Sequence, residues 1–143
     1  MTSSLERIDD ALIALRHLWV APPHINDPDL GAVEMSTIWV VDCLRRCPTA
    51  TVAELAGQLD VAHSTASRLI ARAEKTGAVI RTADRDDQRR VTVQLTPAGH
   101  RLAATALEYR LQSLRDATSD WADHERASFA DLLTRFTHRK EPS

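Results

Sequence analysis

The chain has 143 residues, 43% of them hydrophobic and 27% charged, the composition of one ordinary globular domain with enough apolar material for a core. It contains no apolar run of the ~18 residues a membrane span requires, and it starts on the polar, acidic stretch MTSSLERIDDAL. Neither a span nor a secretory leader is therefore expected, which makes the cytoplasm the expected compartment. The net charge of −2 at pH 7 argues, taken as a total, against nucleic acid.

In chain order, residues 4–20 are expected to form a helix. Leu5, Ile8, Leu12, Leu15 and Trp19 alternate steps of three and four, and Ile13, Leu18 and Val20 add apolar surface beside that seam. Such a helix is either buried in a core or part of an interchain contact. Pro22, Pro23, Pro28 and Gly31 make Ala21 to Gly31 a loop, with Asn26-Asp27-Pro28-Asp29 positioned to cap a second helix. That helix, about Ala32 to Arg46, carries Met35, Ile38, Trp39, Val40, Val41, Cys43 and Leu44 on nearly every side and reads as central. Asp42 within it needs a partner, an arginine or a ligand donor. Cys43 and Cys47 are the only cysteines. Their spacing is not C-x-x-C, and they read either as small buried apolar residues or as a thiol sensor.

The stretch from Thr51 to Thr96 carries the strongest pattern. Val52, Leu55, Ala56 and Leu59 give a short helix a buried stripe, which breaks at Asp60-Val61-Ala62 and resumes at Ala66, Leu69, Ile70 and Ala73. Two helices joined by so short a turn cross steeply, as in a helix-turn-helix. The polar face of the second holds His63, Ser64, Thr65, Ser67, Arg68, Arg72 and Lys75. Short donors and acceptors at a helix start suit base edges, and cations further along suit phosphates. A merely solvated polar face is the alternative.

Gly77 ends that helix in the manner of a C′ glycine. Ala78 to Arg81 and Val91 to Leu95 are β-prone, and between them Thr82 to Arg90 has no apolar residue larger than alanine. A hairpin tip of this kind with Arg85, Arg89 and Arg90 reads as a wing whose arginines reach a narrow minor groove. Its acids, Asp84, Asp86 and Asp87, are suited to orient a neighbouring guanidinium. Thr96-Pro97 then reads as N-cap and first residue of a long helix to about Thr118, with Leu102, Ala106, Tyr109 and Leu114 on one side. Asp116 to Asp123 breaks it, and His124 to Thr137 is the last helix, with Phe129, Leu132, Leu133 and Phe136 on one face. From His63 to Arg101 the local net charge is +4, which leaves −6 for the rest. The local value sets the electrostatic footprint, so the objection from total charge falls.

Asp87-Gln88-Arg89, followed by Val91, Val93 and Leu95-Thr96, resembles the wing signature of the MarR (multiple antibiotic resistance regulator) family, Asp-x-Arg and then a strand ending Leu-Thr. Val52-Ala53-Glu54-Leu55-Ala56, Ser64-Thr65-Ala66-Ser67-Arg68-Leu69 and Lys75-Thr76-Gly77-Ala78-Val79-Ile80-Arg81 are similar to the same family's helix-turn-helix and first wing strand. The resemblance implies a dimeric winged-helix transcription factor, usually a repressor tuned by a small anionic or phenolic ligand, by oxidation or by metal. It makes Ser64, Thr65, Ser67 and Arg68 recognition-helix residues, Arg89 the minor-groove arginine and Asp87 its orienting acid. The chain departs from the pattern at Ala62, where a Ser or Thr N-cap is common, a loss of about 1 kcal/mol. Asp60 stands where glycine is common.

The expected fold is mostly α with a small two- to three-stranded β wing. It forms a single domain over 1–143, with a DNA-binding lobe at 48–96 and a dimerisation lobe from 4–20 with 97–138. Two recognition helices would enter successive major grooves of a pseudo-palindromic double-stranded operator, about 10 bp apart. The family's effector pocket lies between the lobes, which makes Trp19, His24, Met35, Trp39, Asp42 and Tyr109 candidates to line it for a small aromatic or anionic effector. No cofactor and no resident metal are expected. A metal- or thiol-responsive regulator, drawing on six histidines and two cysteines, and a winged helix serving only protein interaction are the alternatives. An enzyme is not expected, because the sequence has no Gly-rich phosphate loop, nucleophile elbow or paired-carboxylate pattern.

Overall fold

The structure is a computed structural model that describes residues 1–18, 24–87 and 89–138, with the main chain alone at 16–18. Its elements are α1 (Ser4–Leu18), β1 (His24–Asp27), β2 (Gly31–Glu34), α2 (Met35–Arg46), α3 (Val52–Leu59), α4 (His63–Thr76), β3 (Val79–Ala83), β4 (Val91–Leu95), α5 (Pro97–Ala117) and α6 (Asp123–Thr137). The mostly helical fold with a β wing expected from the sequence is the one observed. The chain forms two compact units, Met1–Ala106 and Leu107–Ser143.

The core of the first unit is built on α2. Ile38, Val40, Val41, Cys43 and Leu44 are buried against Leu55 of α3, Ile70 and Ala73 of α4, Val79 and Val93 of the strands, and Leu102, Ala103 and Ala106 of α5. Each large aliphatic side chain buried this way contributes about 1.5–3 kcal/mol. Trp39 is the exception to the all-round burial expected of this helix, at 55% exposed. Trp39 and Asp42 lie on the side of α2 away from the core, while Met35 is partly buried against it. Asp42 is met by Arg45 and Arg46, one turn on in its own helix, at 3.2 and 3.6 Å.

The segment expected to be a loop from Ala21 to Gly31 contains a strand, and the helix expected from Ala32 starts at Met35. The cause is a hairpin. His24 pairs with Glu34 and Asp27 with Gly31, so Ala32–Glu34 are spent on β2. Asp27 caps the turn, its Oδ1 accepting the N–H groups of Asp29 at 2.9 Å and Leu30 at 3.0 Å, and Gly31 closes it at a φ of +74°. The acids expected to cap α2 serve this turn instead, and Glu34 at the helix start makes no side-chain cap bond. Arg101 of α5 ties the turn down by pairing with Asp27 at 3.6 Å and with Asp29.

The exit from α4 is joined tightly to the start of α5. Gly77 ends α4 in the left-handed region at a φ of +96°. The Thr96 hydroxyl donates to the Gly77 carbonyl at 2.6 Å and accepts the Gly99 N–H at 3.0 Å, while the Thr96 N–H donates to the Ala78 carbonyl at 3.0 Å. A Cβ on Gly99 would sit 2.0 Å from that same Ala78 oxygen. Only glycine permits the approach.

In the second unit, α5 ends at a turn that Arg126 staples, its Nε donating to Thr118 Oγ1 at 3.0 Å and its Nη2 to the Thr118 carbonyl at 3.1 Å. The Trp121 and Phe129 rings meet edge to face at a centroid distance of 5.4 Å. No described residue of α6 is buried, and Leu132 and Phe136 are 55% and 48% exposed.

Gly99→Ala should lower stability by about 3 kcal/mol, the upper range for overpacking, in urea unfolding. Gly57→Ala in exposed α3, where a Cβ meets nothing within 4 Å, should be neutral or gain up to about 1 kcal/mol. Equal effects would refute the close approach. The Asp27 carboxyl is held below its ordinary value, first by the Asp29 N–H, against the opposing effect of burial, and further by the Leu30 N–H and Arg101. A carboxyl lowered on folding adds stability above its ordinary range and loses it as pH falls through the folded value. Asp27→Asn should thus be less stable than wild type at neutral pH, with the gap closing in acid below about pH 4. A gap constant with pH would mean that charge is not its cause.

Candidate nucleic-acid interface

The turn between α3 and α4 is made by Asp60, Val61 and Ala62. Asp60 adopts the left-handed conformation, φ 54° and ψ 50°, the position where the sequence pattern favours glycine. Aspartate is among the few other residues that tolerate it. Val61 N–H returns to the Ala56 carbonyl at 3.1 Å, which closes α3 and redirects the chain. Ala62 is the extended N-cap of α4 and offers no side-chain bond to the first-turn N–H groups.

α4 buries Ala66, Ile70 and Ala73 against the core. That packing turns His63, Ser64, Arg68, Arg72 and Lys75 to the exposed side, with Thr65 and Ser67 half-buried at its edge. At 14 residues the helix is about 21 Å long and fits a major groove. Arg68 donates to Thr65 Oγ1 at 3.4 Å, and Arg72 pairs with Glu34 at 3.5 Å. Lys75 has no ion-pair partner among the described residues.

The wing is an antiparallel pair in which Val79 faces Leu95 and Ala83 faces Val91. A third, one-residue strand joins it, because Ala50 exchanges both main-chain bonds with Val93 at 2.7 and 3.3 Å. At the tip, Asp84 N–H donates to the Arg90 carbonyl at 2.8 Å and Arg90 N–H to the Asp87 carbonyl at 2.9 Å. The acids are turn formers. Asp84 Oδ1 accepts the Asp86 N–H, and Asp87 Oδ1 accepts the Arg89 N–H, both at 3.0 Å. Asp87 therefore holds the main chain of Arg89 in this structure rather than its guanidinium, because an Asx turn satisfies the carboxylate at two residues' distance. Arg90 pairs with Glu54 of α3 at 3.3 Å. Arg85 and Arg89 are exposed and have no ion-pair partner among the described residues.

The residues expected to line an effector pocket fall in both units. Trp19 lies outside the described residues. His24 is exposed at the start of β1, Trp39 and Asp42 lie on the outer side of α2, and Met35 is partly buried against the core. Tyr109, 48% exposed, belongs to the second unit. Cys43 is a buried free thiol pushed up from its ordinary pKa by burial, against the pull of Arg46, whose Nη2 is 3.7 Å from its sulfur. A disfavoured thiolate makes Cys43 behave as a small apolar residue. Cys47 is also free, its Sγ 3.6 Å from the Thr49 carbonyl. Among the described residues no three of His, Cys, Asp and Glu are grouped to hold a metal ion.

Sequence reading missed Glu34 and Glu54, the partners of Arg72 and Arg90. For Glu54 a signal existed: Thr51-Val52-Ala53-Glu54 has the capping-box spacing. Thr51 Oγ1 does accept the Glu54 N–H at 3.2 Å, but the Glu54 carboxylate goes to the wing.

An exposed helix packed on a short steep partner and followed by a β hairpin defines a winged helix-turn-helix domain. Residues 33–91 match the MarR family model. An uncharacterized HTH-type transcriptional regulator, YsmB of Bacillus subtilis (strain 168), is 35% identical over 88 residues, 62% of this chain. The chain's match spans 60% of that relative's length. Among solved structures, Streptococcus pneumoniae FabT in complex with DNA superposes with a TM-score of 0.73 at 17% identity, covering 94% of this chain and 95% of that one. A MarR family protein from Bacillus stearothermophilus gives 0.68 at 22%, covering 93% and 90%. Bordetella bronchiseptica BpsR, whose DNA binding is regulated by 6-hydroxynicotinic acid, gives 0.65 at 20%, covering 92% and 99%. At these identities the three structures establish a shared fold.

Ala62→Ser should stabilise the domain by about 1 kcal/mol, with Ala62→Gly a few tenths less effective, as read by denaturant midpoints. Unchanged midpoints in both would show that the first turn of α4 is satisfied without a cap.

Proposed function

We propose that this chain is a cytoplasmic, homodimeric transcriptional regulator, a repressor of a pseudo-palindromic double-stranded DNA operator. The carrying observation is the grouping of cations on an otherwise acidic chain: Arg68 and Lys75 on the exposed side of α4, and Arg85 and Arg89 at the wing tip, have no acidic partner among the described residues. His63, Ser64, Thr65, Ser67 and Arg68 would meet base edges, Arg72 and Lys75 the phosphates, and Arg85 and Arg89 the flanking minor groove. The relation in fold to FabT, a structure in complex with DNA, supports this reading.

Dimerisation is supported by apolar surface that the single chain leaves open. Leu5, Ile8, Leu12, Ile13 and Leu15 of α1 are 40–76% exposed, and Phe129, Leu132, Leu133 and Phe136 of α6 are 41–55% exposed. Apolar surface of this extent on each of the two helices marks an interaction site, and a dimerisation lobe from 4–20 with 97–138, together with a DNA-binding lobe at 48–96, would account for it by an isologous contact. A small aromatic or anionic effector would bind beside Trp39 and Asp42 of α2. BpsR, a relative in fold, responds to such a molecule.

Selection of a randomised duplex pool by the purified protein should enrich a palindrome with half-sites about one helical turn apart. No enrichment at low or physiological salt would defeat the reading. On the enriched duplex, Arg89→Ala should weaken binding and flatten the dependence of log K on log salt by about 0.9, one phosphate's share. Arg68→Ala should cost about 1–3 kcal/mol on that duplex and less on others. An equal loss on every sequence would make Arg68 a phosphate contact.

A further inference from the structure

We infer that Glu54 is a positioning residue for the wing and that Arg90 is its strut to α3, not a contact to DNA; the inference rests on the DNA-binding reading above. Arg90 stands among the other wing arginines in sequence, yet its surroundings differ from those of Arg85 and Arg89. Its N–H and carbonyl are both used inside the hairpin, to Asp87 at 2.9 Å and from Asp84 at 2.8 Å, which places it where the tip closes onto β4. Its guanidinium pairs with Glu54 across 36 residues of chain at 3.3 Å.

Two observations separate this pair from an incidental surface contact. The first is the diversion of Glu54. In a T-x-x-E capping box the glutamate returns to the N-cap N–H, but here only the Thr51 half of the box is made, and the carboxylate is committed to the wing. The second is that the same short segment already holds the same strand. Ala50 exchanges main-chain bonds with Val93 at 2.7 and 3.3 Å. Residues 50 and 54 thus grip β4 and its approach at 93 and 90, one attachment through main chain and one through side chain. The core packing of Val79 and Val93 and the Arg81–Glu74 pair at 3.5 Å anchor the base of the hairpin, and the Glu54–Arg90 pair adds an attachment at its tip. The strut sets where Arg85 and Arg89 stand relative to α4, and the binding of those two cations depends on it.

The test compares Glu54→Gln, Arg90→Gln, the double variant and the charge-swapped Glu54→Arg/Arg90→Glu protein. Titrations use sheared random-sequence duplex DNA and the enriched duplex over a range of salt. Each single variant should weaken binding about two- to fivefold, the factor an exposed ion pair supplies, with the salt slope unchanged. The double variant should be no weaker than either single one, and the swapped pair should recover most of the loss. Arg89→Ala, by contrast, lowers the slope. Amide exchange of Asp84 and Arg90 in the DNA-free protein should quicken in Glu54→Gln without a change in melting temperature. A lower slope in Arg90→Gln together with tighter binding by Glu54→Gln would overturn the proposal and make Glu54 a competitor for a DNA-binding arginine. Unchanged exchange would overturn it without reference to DNA. If exchange quickens but the wild type binds no duplex, the DNA reading falls and the strut stands.

Discussion

The close approach of α5 to the main chain that leaves α4 governs the rest of this structure. Gly99 lies against the Ala78 carbonyl at a distance no side chain tolerates, and the Thr96 hydroxyl bridges Gly77 and Gly99. Three connections meet there: the end of the exposed helix, the start of the wing and the start of the longest helix. Each of these bonds involves main chain, so the three connections are tied to one another at one point of a close-packed core.

Charge works on a different scale. The chain is net acidic, and its cations are divided by their partners. Arg101, Arg126, Arg45 and Arg46 hold turns and α2, while Arg81, Arg72 and Arg90 are paired with glutamates. Among the described residues Arg68, Lys75, Arg85 and Arg89 have no acidic partner. A polyanion that exchanges its counterions for these side chains gains entropy from their release. A pair such as Arg72 with Glu34 has less to offer it, because an internal contact must first be broken.

Much of this was legible in the sequence, for reasons that are local. The periodicity of Val52 to Ala73 fixes two helices, Gly77 a left-handed end, and Val91 to Leu95 a strand, because each signal depends on residues within a few positions of one another. Thr96-Pro97 announced the start of α5 in the same way. The β1–β2 hairpin was not legible: four punctuating residues outweighed a short alternation, and the Asp27–Arg101 pair that ties down its turn joins residues far apart in the chain. The exposure of Trp39 was missed for a related reason. Composition said that α2 is central, but which stripe of a nearly all-apolar helix turns outward depends on what surrounds it. On α4 the residue types pointed to the exposed face, while the division of the α4 and wing cations into paired and unpaired required coordinates, since Glu34 and Glu54 are distant in sequence from the arginines they hold.

The magnitudes explain why stability and recognition are separable here. The exposed pairs on this face are each worth ~0–1 kcal/mol, whereas a single buried aliphatic side chain of α2 contributes about 1.5–3 kcal/mol. The fold is therefore decided by Ile38, Leu44, Leu55, Ile70 and Leu102, all at most 1% exposed, and hardly at all by the charges above them. Those charges remain free to set direction: an ion pair too weak to hold a domain together is strong enough to bias the tip of a hairpin anchored at its base. Sequence change on α4 and the wing can thus alter what is recognised while the scaffold persists, the condition under which one fold serves many operators.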